Sequence, residues 1–270
     1  MKLKTLYATF VRNFIVQLRA YPKEFFIGNL LTGIYTSISA FFMYNLLFKG
    51  GMNSSFRSYA GTGDYVSYVI VGTAVYLYVV RTCLNVSRSL MTELREGTLE
   101  SLMVTPFNRI QYFIGNMLQQ TITTSVEISI AVIISTVFGL KFLNFNLLSF
   151  VVVAMISLFS FFSVSMILAS IMLYFRDTYI SQNTLFLALF LLCGISFPME
   201  YLPKGVQVIS KFIPITDSVT LIRCSTLLGL GIREQLGKII YVFILSSVYC
   251  IVGFKLIKRI EYIALEKIHS

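Results

Sequence analysis

Leu147 to Tyr174 reads LLSFVVVAMISLFSFFSVSMILASIMLY, and none of its side chains carries a formal charge. As a helix this run would rise about 40 Å, more than the roughly 30 Å hydrocarbon core of a bilayer. The run is continuous rather than alternating, which excludes the strands of a membrane β-barrel. Comparable apolar runs recur at about 25–48, 65–86, 112–140, 180–197 and 239–257. With 147–174 they predict an all-α membrane protein of six transmembrane helices. Over its 270 residues the chain is 56% hydrophobic and only 13% charged, about half the charge of a soluble domain. A single membrane domain, 1–270, is therefore expected.

The net charge is +10. It does not point to nucleic acid, because no basic helix or aromatic-basic platform is present. Lys and Arg gather instead at the edges of the apolar runs, where they set orientation. With the termini inside, most of the basic residues fall on the inner side, from Lys2 and Lys4 through Arg88, Arg95 and Arg109 to Lys258, Arg259 and Lys267. Both termini are then cytoplasmic. Cys83, Cys193, Cys224 and Cys250 form no C-x-x-C pair and read as small hydrophobes. The single histidine, His269, is penultimate, so neither a metal site nor a catalytic site is expected. Arg12 and Arg19 interrupt any signal-peptide core.

Residues 1–22 read as an interfacial helix. Leu3, Leu6, Tyr7, Phe10, Val11, Phe14, Ile15 and Leu18 fill one side, with Thr5, Thr9, Arg12, Asn13 and Arg19 on the other. Tyr21-Pro22 ends it. The small polar residues between the first two runs, up to Asp64, are expected to form a loop.

Between the second and third runs lies Arg95 to Pro106, REGTLESLMVTP, on the cytoplasmic side. Gly97 suits a helix end. Thr98 can cap a new short helix with Glu100 in its first turn, Leu99, Leu102 and Met103 giving it an apolar edge. Pro106 separates it from the next span. Residues 93–108 thus read as a surface helix offering Glu96, Glu100 and apolar knobs to a soluble partner.

Three of the five prolines, Pro198, Pro203 and Pro214, fall in Ser196 to Arg223. Pro203 suits a first helical turn, with Val206, Ile209, Phe212 and Ile213 on one face. Pro214 is expected to stop that helix, and Thr216 or Asp217 to cap another running to about Gly229. Residues 198–230 form a re-entrant outer pair, which must be buried in protein or line a watery cavity. Phe197, Pro198, Pro203 and Pro214 are the candidate outer gate.

These blocks in this order resemble the permease subunit of a type-2 ABC transporter. The resemblance covers nearly the whole chain. It rests on the amphipathic N-terminus, six spans, E-G-T-x-E at Glu96 to Glu100, and the block Gly194, Phe197, Pro198, Leu202, Pro203, Pro214, Thr216 and Arg223. It implies that Glu96, Gly97, Thr98, Leu99, Glu100, Leu102 and Met103 form a coupling helix docking on ABC ATPase subunits. Arg176 and Asp177 of FRDTY would be a second cytoplasmic contact. It also implies a second permease copy, as a homodimer, in a prokaryotic-type plasma membrane, and export as the direction. The chain has no G-x-x-x-x-G-K-[ST] and no soluble domain to hold one. ATP and Mg therefore belong to the partner ATPase, and no catalytic site or cofactor is expected here.

Glu127 sits deep in the third span among Thr121, Thr123, Thr124, Ser125 and Ser129, and must face protein or water. Arg81 is its candidate partner, either as a structural ion pair or as part of a polar pathway wall. Tyr65, Tyr68, Tyr76 and Tyr78 cluster along the second span, as packing and interface anchors or as a sugar-stacking path. The cargo expected is amphipathic: a drug, a peptide or a lipid. The alternative is a lipid-linked polysaccharide or teichoic-acid-type export substrate. Two other classes make different demands. An intramembrane enzyme needs a clustered catalytic pair, and an ion-coupled transporter needs broken helices in both halves.

Overall fold

The most apolar run becomes the centre of the molecule. The computed structural model describes residues 4–20, 38–47, 54–98, 108–140, 144–175 and 179–269, with single positions between 27 and 35. The regular structure among these residues is entirely helical. Its elements are α1 (Lys4–Ala20), α2 (Ser54–Ala60), α3 (Tyr65–Arg95), α4 (Arg109–Val137), α5 (Leu147–Phe175), α6 (Tyr179–Leu192), α7 (Lys204–Lys211), α8 (Pro214–Thr226) and α9 (Ile232–His269). A π-helical turn, Met43–Leu47, and a 3₁₀ turn, Met199–Tyr201, complete them.

Among the described residues four helices are long and apolar enough to cross a membrane: α3, α4, α5 and the Ile232–Ile260 part of α9. Of the first expected span, 25–48, residues 38–47 are described, with 27, 31, 34 and 35 before them, and these positions are helical. Outside the described residues lie 99–107 of the expected coupling helix, with Leu99, Glu100, Leu102 and Met103, and Arg176 and Asp177 of FRDTY.

α5 packs on α3, α8 and α9. It does so through small residues: Ser149, Ser157, Ser160, Ser163, Ser165 and Ser170 are all buried. Between helices in lipid there is little hydrophobic drive, so close backbone approach supplies the attraction. Gly253 of α9 shows how close this is, since a Cβ there would stand 2.8 Å from Cβ of Met166. Val79, Cys83, Val86, Met166, Ala169 and Val242 form the solvent-free centre of the same core.

Several boundaries differ from the sequence expectation, each for a local reason. The segment before Asp64 is not all loop. α2 forms there, because Phe56 is buried against the rings of Tyr65 and Tyr68 at 5.7 and 5.3 Å between centroids. The second span continues nine residues past 86, as no breaker intervenes before Gly97. Asn108 starts α4, its side chain accepting from the backbone N–H groups of Ile110 and Gln111. The fifth apolar run is helical only to Leu192, at 14 residues rising about 21 Å, too short to cross a ~30 Å core along a straight path. Gly194, at φ 65°, turns the chain out of it. Pro214 does not merely stop a helix. It opens α8 from its first position, where the missing N–H costs nothing, and Thr216 and Asp217 lie inside the first turn rather than capping it. Pro203 stands just before α7 as its N-cap residue.

Candidate functional site

Gly97 ends α3 as its position suggests. Its φ of 71° lets the Thr98 N–H reach the Glu93 carbonyl at 2.9 Å and the Gly97 N–H reach that of Leu94 at 3.3 Å, a Schellman closure. The closure leaves Glu96, Gly97 and Thr98 exposed at the helix tip. The Thr98 hydroxyl turns back, standing 2.6 Å from a Glu93 carboxylate oxygen.

Glu93 is the centre of this tip, though nothing in its local sequence marks it out. It is buried, yet three donors reach its carboxylate: the Thr98 hydroxyl, the Tyr112 hydroxyl at 3.2 Å and Nη2 of Arg12 at 2.7 Å. Arg12 comes from α1, so one carboxylate ties α1 to the end of α3 and the start of α4. Burial works against the Arg12 charge, but the hydrogen bond and charge of Glu93 outweigh it and raise its pKa above the ordinary guanidinium value. Asn13 adds a second tie by donating to the Asn116 side-chain oxygen. Gly115 leaves room for α1, since a Cβ there would stand 2.9 Å from the Leu6 carbonyl.

α1 is thus turned with its polar stripe on the protein. Thr9 is buried, while Tyr7, Ile15 and Val16 are exposed. A helix that presents its apolar side outward suits the membrane interface.

From the tip, polar pairs climb between α3 and α4. Asn85 donates to Gln120 at 2.9 Å, Arg81 reaches Glu127 at 3.1 Å, and the Tyr78 hydroxyl donates to the Thr121 carbonyl at 2.8 Å. The two helices run antiparallel, and the pairs form an irregular ladder between them, without a constant register. In an apolar surround such pairs hold helices together. Arg81 and Glu127 are therefore an ion pair, with Glu127 buried and Arg81 about half exposed. The signal for the ladder was the polar residues on each span, but one sequence does not reveal their register.

At the other end, Arg223 of α8 is buried and reaches back to the break after α6. Its guanidinium donates to the Gly194 carbonyl at 2.6 Å and to that of Ile195. It also lies over the Tyr68 ring, 3.6 Å from the centroid. Tyr68 is buried here, and the Tyr76 hydroxyl donates to the Phe186 carbonyl at 3.2 Å. With Tyr78 in the ladder and Tyr65 against Phe56, the four tyrosines are packing elements rather than an open stack. Of the candidate gate residues, Pro198 and Pro214 are buried, Phe197 is half-buried and Pro203 is exposed. The structure brings them to one end of the bundle. α7 turns Val208, Ile209 and Phe212 outward and is held to α9 by Tyr241 and Tyr249, which donate to the Lys211 and Phe212 carbonyls, both at 2.9 Å.

Long apolar helices, an amphipathic N-terminal helix clipped to a polar tip, and a short apolar helix whose exit turn is latched by a buried arginine define a multi-pass helical membrane protein. The ABC-2 type transporter family profile matches residues 6–226, and the chain belongs to that family. It is a permease component in this sense, the membrane domain of an ABC transporter. The comparison with curated proteins returned no match.

Proposed function

We propose that the chain is the transmembrane subunit of an ATP-driven ABC exporter. It forms the translocation pathway for an amphipathic substrate and is moved by a separate ATPase subunit carrying ATP and Mg. Two copies of the permease assemble around the pathway, with both termini on the cytoplasmic side.

One observation carries this reading: the α3–α4 hairpin is stiffened along its length and clipped by Arg12 at the tip that carries Glu96, Gly97 and Thr98. A loop on such a hairpin works as a lever arm. Displacement of 93–108 by a closing ATPase tilts α3 and α4 together, and α3 also carries Tyr68, against which Arg223 rests. The tip and the outer break are thus linked through one rigid helix.

The test is co-purification with an ATPase encoded beside the gene. Glu96→Lys with Glu100→Lys should cut recovery of the ATPase at least ten-fold while the permease remains folded. Undiminished assembly and undiminished stimulation of ATP hydrolysis would overturn the docking role.

A further inference from the structure

Helix α9 runs unbroken for 38 residues, Ile232–His269. It is about 57 Å long, nearly twice what the ~30 Å hydrocarbon core requires. Its contacts with α5, which runs beside it in the same direction, fix its depth. Gln235 donates to the Ser149 hydroxyl at 3.0 Å, the Phe243 and Phe159 rings lie 5.7 Å apart, and a Cβ on Gly253 would stand 2.8 Å from Cβ of Met166. Positions 149, 159 and 166 of α5 are thus level with 235, 243 and 253 of α9. The Cys83 thiol donates to the Phe161 carbonyl at 3.7 Å and puts α3 on the same scale. Carried down these helices, Gly97 stands level with about residue 175 of α5 and about residue 261 of α9.

Arg95 on α3 and Lys255, Lys258 and Arg259 on α9 are exposed near this level, a basic belt of the kind that marks the cytoplasmic edge of a membrane. The last eight residues of α9 then rise about 12 Å past the level of Gly97. In that stretch Tyr262, Leu265 and Ile268 recur three apart, the spacing of one helix edge. An apolar edge beyond the lipid calls for a protein surface. Within the membrane α9 turns Ile240, Ile244, Val248, Ile251 and Val252 outward, a face that suits lipid, so a partner reaches its end from the cytoplasm rather than from beside it. α5 lies between α3 and α9. At 8–10 Å between packed axes, the ends of α3 and α9 fall within about 20 Å of each other. A soluble domain of about 200 residues is roughly 40 Å across, so one seated on the Glu96 to Thr98 tip also meets the end of α9.

We propose that the cytoplasmic end of α9, residues 261–269, is a further contact for the ATPase subunit, beside the Glu96 to Thr98 tip. This rests on the exporter reading. The full-length chain, carrying the photocrosslinker benzoylphenylalanine in place of Tyr262 or of Ile268, is illuminated with the ATPase encoded beside the gene. Both positions should crosslink to the ATPase, and Ile244, replaced in the same way, should not. Deletion of 261–270 keeps Ile257 and Ile260, which pack in the core. It should leave melting unchanged and lower both ATPase recovery and stimulation of ATP hydrolysis at least three-fold. Ala264→Pro, which interrupts the helix, repeats the test should the shortened chain not fold. Crosslinks from 268 to a second permease copy or to lipid alone would overturn the proposal, as would undiminished recovery and stimulation in both variants. The two readings fail separately. A parent chain that recovers the ATPase, with both variants doing so equally well, refutes the α9 contact and leaves the exporter reading standing. A parent chain that recovers no ATPase refutes both.

Discussion

Gly72→Ala adds one methyl group to α3 where, among the described glycines, a side chain would meet the closest neighbours. That carbon would stand 2.0 Å from Nη2 of Arg223 and 2.3 Å from the Ile195 carbonyl oxygen, whereas ordinary contact begins at 3.4 Å. The carbonyl belongs to backbone, so it must retreat by roughly 1 Å and the guanidinium must leave its acceptor. Overpacking of this kind costs about 1–3 kcal/mol, and a weakened charge-assisted hydrogen bond about 1.5–3 kcal/mol. The gain in helix propensity returns about 1 kcal/mol. The net loss is about 1.5–5 kcal/mol, or roughly 3–20 °C in Tm for a chain of this size. The assay is the fraction that remains monodisperse in detergent after heating. Gly205→Ala in α7 is the control, since nothing lies within 4 Å of its added carbon, and it should be neutral or slightly stabilising. Gly72→Ala combined with Arg223→Ser should lose less than the sum of the two single changes, because part of the obstruction is then gone. A Gly72→Ala protein as stable as the parent would refute the close crossing of α3 with the Gly194–Ile195 turn, and with it the latch assigned to Arg223.

Further outcomes follow from the same contacts. Arg12→Ala should lower stability by about 1–3 kcal/mol, since it leaves the buried Glu93 with two neutral donors; a thermal double-mutant cycle with Glu93→Gln should show coupling, and additivity would remove the clip. Gly97→Ala meets no neighbour, so its loss of about 1–2 kcal/mol comes from the left-handed φ alone, and Gly97→Asn should recover much of it in the same melting assay. Arg81→Met should destabilise by about 3–5 kcal/mol by leaving Glu127 unpaired at membrane depth. Glu127→Gln should cost less and leave export per folded molecule unchanged, measured separately from folding; lost export with normal folding would make the pair part of the pathway wall.

The elements whose reasons are local were legible in the chain. Leu147 to Tyr174 is uncharged and continuous, and α5 occupies Leu147–Phe175. Gly97 terminates α3 because only a residue without a Cβ enters the left-handed region cheaply. The pairing of Arg81 with Glu127 was likewise foreseeable, since few residues at that depth can compensate a carboxylate. Helix α2, the early end of α6 and the role of Pro214 were not, for each depends on what another segment presents: the rings of Tyr65 and Tyr68, the Arg223 guanidinium, and the chain turning after α7.

The sequence by itself determined that this chain lives in a bilayer, where α5 begins and ends, and which family its motifs define. Periodicity, charge and the glycine and proline positions act within a turn or two, so one chain displays them directly. Only the tertiary structure decided that Glu93, rather than the exposed Glu96, gathers α1, α3 and α4, that Asn85 meets Gln120 and Tyr78 meets Thr121 between α3 and α4, and that Arg223 latches the turn after α6 through two backbone carbonyls. Those facts rest on distances between residues 19 to 81 positions apart. In a medium that offers a buried polar group no water, such a group must find its partner across the fold, and sequence spacing alone does not say which partner it finds.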